Sequence, residues 1–256
     1  MEYFEITSIN RGLREKKTEG VTEEVPLTID INGKELATLL ASPFDFKQLT
    51  LGFLFTSGLI EGISEVKSLV IDEERWKANV ELNHEGFSDE LFFKRVYTSG
   101  CGKGVIFHNP LDLIQRVKLP AGFEIKSEKI LEIMKIFLSS SAEHRETRGV
   151  HSAALANQGG ILIFMDDIGR HNALDKVIGE AMIRKILFGE AMMILTTGRI
   201  SSEIVAKIMR CGIPLVVSRG VPTNQAIKMA REIRMTLVGY ARGHRMNIYT
   251  IEERIK

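Results

Sequence analysis

From His151 onward the sequence alternates short apolar runs with segments of helical periodicity. Apolar runs of about four to eight residues fit buried strands, and a repeat near 3.6 residues fits helices packed on a sheet. The first two strands of this part follow each other without a helix between them. They therefore form a hairpin, and the sheet is mixed. This order predicts an α/β fold whose sheet is covered by helices on both faces. The predicted strands are 151–156, 161–165, 191–195, 214–218, 237–241 and 247–250, and the predicted helices start after Asn172 and span 202–210 and 224–235.

Residues 1–120 read as a smaller β-rich domain. Segment 25–31 alternates apolar and polar residues, and Asn32-Gly33 is a strong hairpin turn into a strand over 34–40. Further strands are predicted at 66–71, 76–82 and 91–97, with a short apolar helix at 49–59. Leu119-Pro120-Ala121-Gly122 marks the boundary to a second domain, 121–256, which opens with a helix capped by Ser127 and a polar loop over 139–148.

Charge and composition exclude several classes of protein. A formal net charge of +1 over 256 residues gives no global field for nucleic acid. No apolar run approaches the roughly 20 residues of a membrane span, and the N-terminus has no signal-peptide pattern. We therefore expect a cytoplasmic protein that binds neither nucleic acid nor membranes. With only two cysteines, and without CxxC or HExxH, we expect no bound metal and no zinc.

A strand, a polar turn and a helix follow one another between residues 161 and 182. The apolar run ends at Asp166 and Asp167, and the helix carries an apolar stripe that fits a sheet. Asn172 is a good N-cap, and Asp175 three residues later completes a capping box. In open α/β sheets, ligands bind at such turns, beyond the carboxyl ends of the strands.

Arginines follow the predicted strands of this half, each close to a glycine. If the strands are parallel, at least the first three of these arginines gather at one edge of the sheet, beside the N-termini of two helices, which favour anions. The planar guanidinium group suits phosphate. An elongated ligand that carries phosphates is favoured over the alternative, a solvated rim. The residues are Arg170, Arg199, Arg219, Arg242 and Arg245.

The two cysteines differ in their surroundings. Cys211 lies among apolar residues near a helix end, with Gly212 as its cap, and is expected to serve packing. Cys101 lies between glycines, with Lys103 two residues away, which favours the thiolate. A nucleophile or sulfur carrier and a small turn residue are equally compatible with this spacing.

Several segments resemble one family over nearly the whole chain. They are EVPLTIDINGKELATLLASP, LTLGFLFTSGLI, TSGCGKG, GVHSAALA, DDIGRHNALDKVIG, TTGRISSEIVAKIMRCGIPLVVSRGVPT and TLVGYARGHRMNIYT. The chain resembles the FdhD family, accessory sulfurtransferases of formate dehydrogenase. This resemblance implies a carrier that accepts persulfide sulfur from a cysteine desulfurase. The carrier passes that sulfur to the molybdenum bis(molybdopterin guanine dinucleotide) cofactor before the cofactor is inserted into formate dehydrogenase.

The resemblance also implies roles for residues of this chain. Cys101 is expected to carry the persulfide, and a homodimer is expected. A guanine nucleotide such as GDP should bind as a fragment of the cofactor, with Asp166 or Asp167 accepting from the N1–H and amino group of guanine. The cofactor-binding residues are expected to be Tyr240, Ala241, Arg242, Gly243, His244 and Arg245, together with Arg170, His171, Arg199 and Arg219.

The sequence departs from the family and from a related fold at two places. Many family members carry CxxC in this loop. In this chain Cys101 is the first cysteine of that pattern, and Gly104 stands where the second would be. A non-catalytic chaperone that delivers the cofactor is therefore the alternative function. The second domain of the family is similar to the cytidine deaminase fold, a three-layer sandwich. A zinc deaminase is not expected, because Ala153 stands where deaminases have the catalytic glutamate.

Overall fold

The protein is described here by a computed structural model covering residues 1–83, 119 and 122–256. The predicted strand at 91–97 and the Cys101 loop lie outside the described residues. Within the described part, the strands form a two-stranded, a four-stranded and a six-stranded sheet. None of the described helices combines the length and the apolar character that crossing a membrane requires.

The described part of the N-terminal half contains an antiparallel hairpin, a mixed four-stranded sheet and one α-helix. β1 (Glu2–Asn10) and β2 (Leu13–Val21) form a hairpin that stands apart from the other sheets. The four-stranded sheet has the order β4-β3-β6-β5. Helix α1 (Phe46–Thr56) follows this sheet's first hairpin. The strands of the sheet are β3 (Val25–Ile31), β4 (Lys34–Ala41), β5 (Val66–Asp72) and β6 (Lys77–Leu82), of which β3 and β6 pair parallel.

The six-stranded sheet of the second half is mixed, as predicted. Its strand order is β12-β11-β10-β9-β7-β8, and β12 and β8 are its edge strands. The strands are β7 (His151–Asn157), β8 (Gly160–Asp167), β9 (Met192–Thr196), β10 (Leu215–Ser218), β11 (Thr236–Arg242) and β12 (Arg245–Thr250). The helices are α2 (Ser127–Ser140), α3 (Ala142–Thr147), α4 (Arg170–Ile183), α5 (Ser202–Arg210) and α6 (Asn224–Glu232).

Helices pack against both faces of this sheet, because buried side chains alternate along each strand. Ile194 and Val216 face the buried cluster that includes apolar residues of α4, α5 and α6. Leu195 and Val217 face the cluster that includes the apolar residues of α2. The first cluster also contains residues of α1, β3 and β6, so the core is continuous between the two halves.

Several local predictions were wrong. Ser127 does not cap α2, because the helix begins at Ser127 itself and Lys126 is its N-cap. The segment 139–148 is not a loop throughout, because α3 forms there and the Ser141 side chain accepts from the His144 backbone at its N-terminus. Asn172 is not a helix cap, because α4 already begins at Arg170, with Gly169 as its N-cap. The Asn172 side chain instead donates to the Leu40 carbonyl and to Asp167, which connects α4 to β4.

Candidate functional site

Strands β8, β9, β10 and β11 all run in the same direction. β8 and β9 each pair antiparallel with β7, and β9, β10 and β11 pair parallel. Their carboxyl ends therefore meet at one edge of the sheet, together with the start of β12, which runs back beside β11. The prediction that arginines gather there is confirmed. We call Arg170, Arg199, Arg219, Arg242 and Arg245 the arginine edge; all except the half-buried Arg170 are exposed.

The loops that leave β9, β10 and β11 are joined to one another by hydrogen bonds. The Ser218 hydroxyl donates to the Gly198 carbonyl at 2.6 Å, and the Tyr240 amide donates to the Gly220 carbonyl at 2.7 Å. The Arg219 amide donates to the Thr196 carbonyl at 3.1 Å. Each loop thus fixes the backbone of its neighbour, which holds the arginines in a defined order along the edge.

Glycines allow this close approach. A Cβ atom on Gly198 would lie 2.8 Å from Cβ of Arg170, and one on Gly220 would lie 2.9 Å from the Gly198 carbonyl oxygen. A Cβ atom on Gly239 would lie 3.0 Å from the Gly220 carbonyl oxygen. The glycines near the arginines therefore serve contact between loops, in addition to leaving room for a ligand.

The turn between β11 and β12 gathers two arginines around one aromatic ring. The guanidinium carbons of Arg242 and Arg245 lie 4.2 Å and 4.6 Å from the centre of the Tyr240 ring. Arg242 also donates to the Tyr240 hydroxyl at 2.5 Å. Tyr240 has a φ of +58°, a conformation that is rare outside glycine and asparagine. The ring thus holds two cationic groups together at the surface.

The other predicted residues of this turn differ in exposure. Gly243 has a φ of +58°, which the turn requires, and His244 is exposed beside it. The side chain of Ala241 is fully buried in the cluster below α2. Only the backbone of Ala241 is therefore left to contact a ligand.

A second group of ionisable side chains lies behind the arginine edge. His171, in the first turn of α4, has its Nε2 atom 3.3 Å from Oε2 of Glu203, in the first turn of α5. Burial, followed by the charges of Lys207, Arg170 and Arg199, lowers the pKa of His171 to about 3. His171 is therefore neutral at physiological pH and does not add to the positive charge of the edge.

Deeper in the protein, an ion pair links α4 and α5. Lys207 pairs with Asp175, which is 1% exposed and also accepts from the Thr56 hydroxyl at 2.7 Å. The capping role predicted for Asp175 was therefore wrong. Sequence reasoning also missed Glu203 and Lys207. Their four-residue spacing on a helix beginning at Ser202 was the available signal, since such residues share one face.

The two acids at the end of β8 have separate environments. Asp167 is fully buried, and its carboxylate is 2.8 Å from Lys176 Nζ. Asp167 also accepts from the Ser42 and Gly169 amides and from the Asn172 side chain, so it is not available to a guanine base. Asp166 is half-buried, and its Oδ2 accepts from Ser141 at 2.7 Å. Of the two acids, Asp166 remains the candidate for guanine recognition.

The position compared with the zinc site of deaminases lies at the start of β7. His151 Nδ1 is 3.3 Å from the Thr197 hydroxyl, which accepts from the Ser152 amide. Burial, with the charge of Arg170, lowers the pKa of His151. Ala153 is fully buried. Among the described residues, no three His, Cys, Asp or Glu side chains form a group that could hold a metal ion.

Cys211 is buried at the end of α5, and Gly212 follows with a φ of +67°. Burial raises the pKa of the Cys211 thiol well above its usual value. This environment disfavours the thiolate, as expected of a cysteine that serves packing. Cys101 lies outside the described residues, and its role stays a prediction.

Comparisons with known proteins agree on one family. The family model described as the FdhD/NarQ family matches residues 22–256. The sulfur carrier protein FdhD of Bacillus pumilus is 39% identical over 93% of this chain and 91% of its own length. Proteins of the same name from Geobacillus kaustophilus and Bacillus subtilis are 34% and 36% identical, over 98% and 96% of this chain and 95% and 94% of their own lengths.

A solved structure has the same fold. It is the crystal structure of a candidate formate dehydrogenase accessory protein from Desulfotalea psychrophila. The two structures superpose with a TM-score of 0.81 and 27% sequence identity, over 100% of this chain and 99% of the other. The fold, the conserved length and the family model lead to one conclusion: this chain belongs to the FdhD/NarQ family.

Proposed function

We propose that this protein is a sulfur carrier in the maturation of formate dehydrogenase. Relatives that match over more than nine-tenths of this chain are named sulfur carrier proteins, which supports the role. In finer detail, Cys101 accepts sulfur from a cysteine desulfurase and transfers it to the molybdenum bis(molybdopterin guanine dinucleotide) cofactor. The protein acts in the cytoplasm, as a homodimer, before the cofactor enters formate dehydrogenase.

The observation that carries the cofactor part of this proposal is the arginine edge. Four strands that run in the same direction end there, and the exit loops of three of them, β9, β10 and β11, are hydrogen-bonded to one another. Guanidinium groups on a pre-ordered backbone suit the diphosphates of an elongated dinucleotide, because little ordering is left to be done on binding. The N-termini of α5 and α6 lie after β9 and β10 at the same edge and add favourable dipoles.

The base of the cofactor needs recognition of its own. The Asp166 carboxylate, placed at the end of β8, accepts from the N1–H and amino group of guanine, whereas adenine offers no matching pair of donors. Tyr240, Arg242 and Arg245 form the opposite part of the edge, where the turn from β11 to β12 projects. The cofactor thus extends across the strand ends.

The sulfur step begins with an exchange that balances without a further reagent. The Cys101 thiolate attacks the outer sulfur of the desulfurase persulfide, and the S–S bond of that persulfide breaks. The desulfurase leaves as a thiolate, and Cys101 carries the persulfide. Lys103 stabilises the Cys101 thiolate before the attack.

Calorimetric titration tests the cofactor site. GDP should bind and ADP should bind more weakly, and binding should weaken as salt concentration rises. Arg199→Ala and Arg242→Ala should each weaken GDP binding about ten- to a hundredfold, since a hydrogen bond to a charged group contributes about 1.5–3 kcal/mol. Arg75→Ala, an exposed arginine far from the edge in sequence, is the control and should bind like the wild type. Equal affinities for GDP and ADP would remove guanine recognition.

Mass spectrometry tests sulfur carriage. After incubation with a cysteine desulfurase and cysteine, Cys101 should gain one sulfur atom and Cys211 should gain none. The chaperone remains the second candidate, favoured by the single cysteine, because Gly104 stands where many relatives have a second one. A Cys101→Ser variant that still activates formate dehydrogenase would favour the chaperone over the carrier.

A further inference from the structure

A histidine and a glutamate form a shielded pair directly behind the arginine edge. Their side chains are 20% and 13% exposed, and His171 Nε2 lies 3.3 Å from Glu203 Oε2. His171 belongs to the same helical turn as Arg170, and Glu203 follows Arg199 by four residues. The charges of both arginines, which follow β8 and β9, therefore act on His171.

Three cations and one further histidine act on this pair. The cations are Arg170 on the same helix as His171, Lys207 on α5 and Arg199 in the loop before α5, and the histidine is His151 at the start of β7, whose own pKa is lowered by burial. Of these, Lys207 is already paired with Asp175. Burial and these positive charges keep His171 neutral in the protein alone.

Burial also acts on the glutamate. It raises the pKa of Glu203, while the charges of Lys207 and Arg170 act in the opposite direction. The pair is thus one carboxyl and one imidazole whose nearest atoms, Glu203 Oε2 and His171 Nε2, lie 3.3 Å apart. Both atoms are buried, and neither has a hydrogen-bond partner among the described residues.

Resting on the proposed function, we propose that the His171–Glu203 pair takes up a proton when a phosphate group binds at the arginine edge. A phosphate beside Arg170 and Arg199 offsets two cations near the pair and adds negative charge of its own. Both changes favour the protonated pair. Proton uptake cancels the negative charge of the Glu203 carboxylate, so the protonated pair repels the phosphate less than the unprotonated pair does. Binding of the anion therefore strengthens as the pH falls, and release is favoured as the pH rises.

Calorimetry with GDP, in buffers that differ in their enthalpy of ionisation, measures this proton uptake in the full-length protein. The terminal phosphate of GDP itself titrates near pH 6, so the readout is the difference between wild type and the His171→Gln variant. At pH 6 the wild type should take up a larger fraction of a proton per GDP than the variant. From pH 8 to pH 6 the GDP affinity of both proteins should rise, and the factor by which it rises should be about ten times larger for wild type than for the variant.

Two further variants sharpen the test. Glu203→Gln removes a negative charge near the phosphate, so it should bind GDP more tightly than wild type at pH 8 and depend less on pH. Arg75→Ala, the exposed control residue of the binding titration, should behave as wild type. Equal proton uptake by wild type, His171→Gln and Glu203→Gln, with GDP bound in all three, would overturn this inference alone. Failure of GDP to bind the wild type would overturn the proposed site as well.

Discussion

Gly52 of α1 and Gly179 of α4 meet backbone to backbone where the two helices cross. A Cβ atom on either residue would lie 2.9 Å from the amide nitrogen of the other. The Cβ atom on Gly52 would also lie 1.7 Å from the Asp175 carbonyl oxygen, and the Cβ atom on Gly179 would lie 1.9 Å from the Gln48 carbonyl oxygen. This contact brings the helix of the N-terminal half onto the helix that begins at the arginine edge, so that both halves share one core.

Gly52→Ala and Gly179→Ala should each destabilise the protein by about 3 kcal/mol, because the helix backbones must separate and the gain in helix propensity of about 1 kcal/mol does not compensate. Urea unfolding measures the change as a lower midpoint with an unchanged slope. Gly189→Ala is the matched control, since a Cβ atom there meets nothing within 4 Å. A midpoint for Gly52→Ala equal to that of the control would contradict the close crossing.

Substitutions in the ion pair between Lys176 and Asp167 should be among those that lower the stability of the protein most. Both side chains are fully buried, and the ammonium group also lies 4.2 Å from the centre of the Phe44 ring. Lys176→Met leaves the Asp167 charge buried without its cation, which should cost about 3–5 kcal/mol of unfolding free energy. Lys129→Met removes a partner from a largely exposed pair with Glu132 and should cost less than about 1 kcal/mol. Similar costs for the two variants would count against this account.

The sequence predicts the features that neighbouring residues determine. The arginine edge was predictable, because the alternation of strands and helices sets the strand directions, and the directions fix which ends meet. The start of α5 at Ser202 was also predictable, because Ser201 caps it through its own side chain. In contrast, Asn172 has the residue type of a cap but bonds to Leu40 and Asp167, which are distant in sequence.

Other features depend on exposure or on contacts between distant segments, so local patterns indicate them only in part. Strands β1 and β2 are mostly exposed on both faces, so burial does not impose an alternation of apolar and polar residues on them. Asp175, Glu203 and Lys207 are polar residues on helix faces that would ordinarily be solvated. Their ion pairs form because α1, α4 and α5 pack together, which the sequence of each helix does not reveal.

The environment of His171 should make the free protein less stable in mild acid. Its pKa is about 3 in the folded protein against 6.5 for the ordinary side chain, so the unfolded state binds the proton first as the pH falls. Stability is therefore lost progressively below pH 6.5, by up to about 1.4 kcal/mol per pH unit from this residue. Urea unfolding at pH 7 and pH 5 should show a smaller loss for His171→Gln. An identical loss in both proteins would indicate a solvated histidine.

The two cysteines should react at very different rates. Burial raises the pKa of the Cys211 thiol, so little thiolate is present at neutral pH, and reagents have no access to it. Alkylation of the native protein should therefore label Cys101 alone, and alkylation in urea should label both residues. Peptide mass spectrometry separates the two sites. Labelling of Cys211 in the native protein, or protection of Cys101, would remove support for sulfur carriage.

Substitutions of Tyr240 should affect the stability of the fold and GDP binding at the arginine edge in different ways. Its φ of +58° is strained for any residue with a Cβ atom, and its ring contacts both Arg242 and Arg245. Tyr240→Gly relieves backbone strain of about 1–2 kcal/mol and removes the ring, so unfolding should be unchanged or shifted to higher urea while GDP binding weakens. Tyr240→Phe keeps the ring and loses only the hydroxyl that accepts from Arg242. Its GDP affinity should therefore lie between those of wild type and Tyr240→Gly. If Tyr240→Gly bound GDP as tightly as wild type, the ring would have no part in ordering the arginines, and the contacts of Tyr240 would be a consequence of the turn.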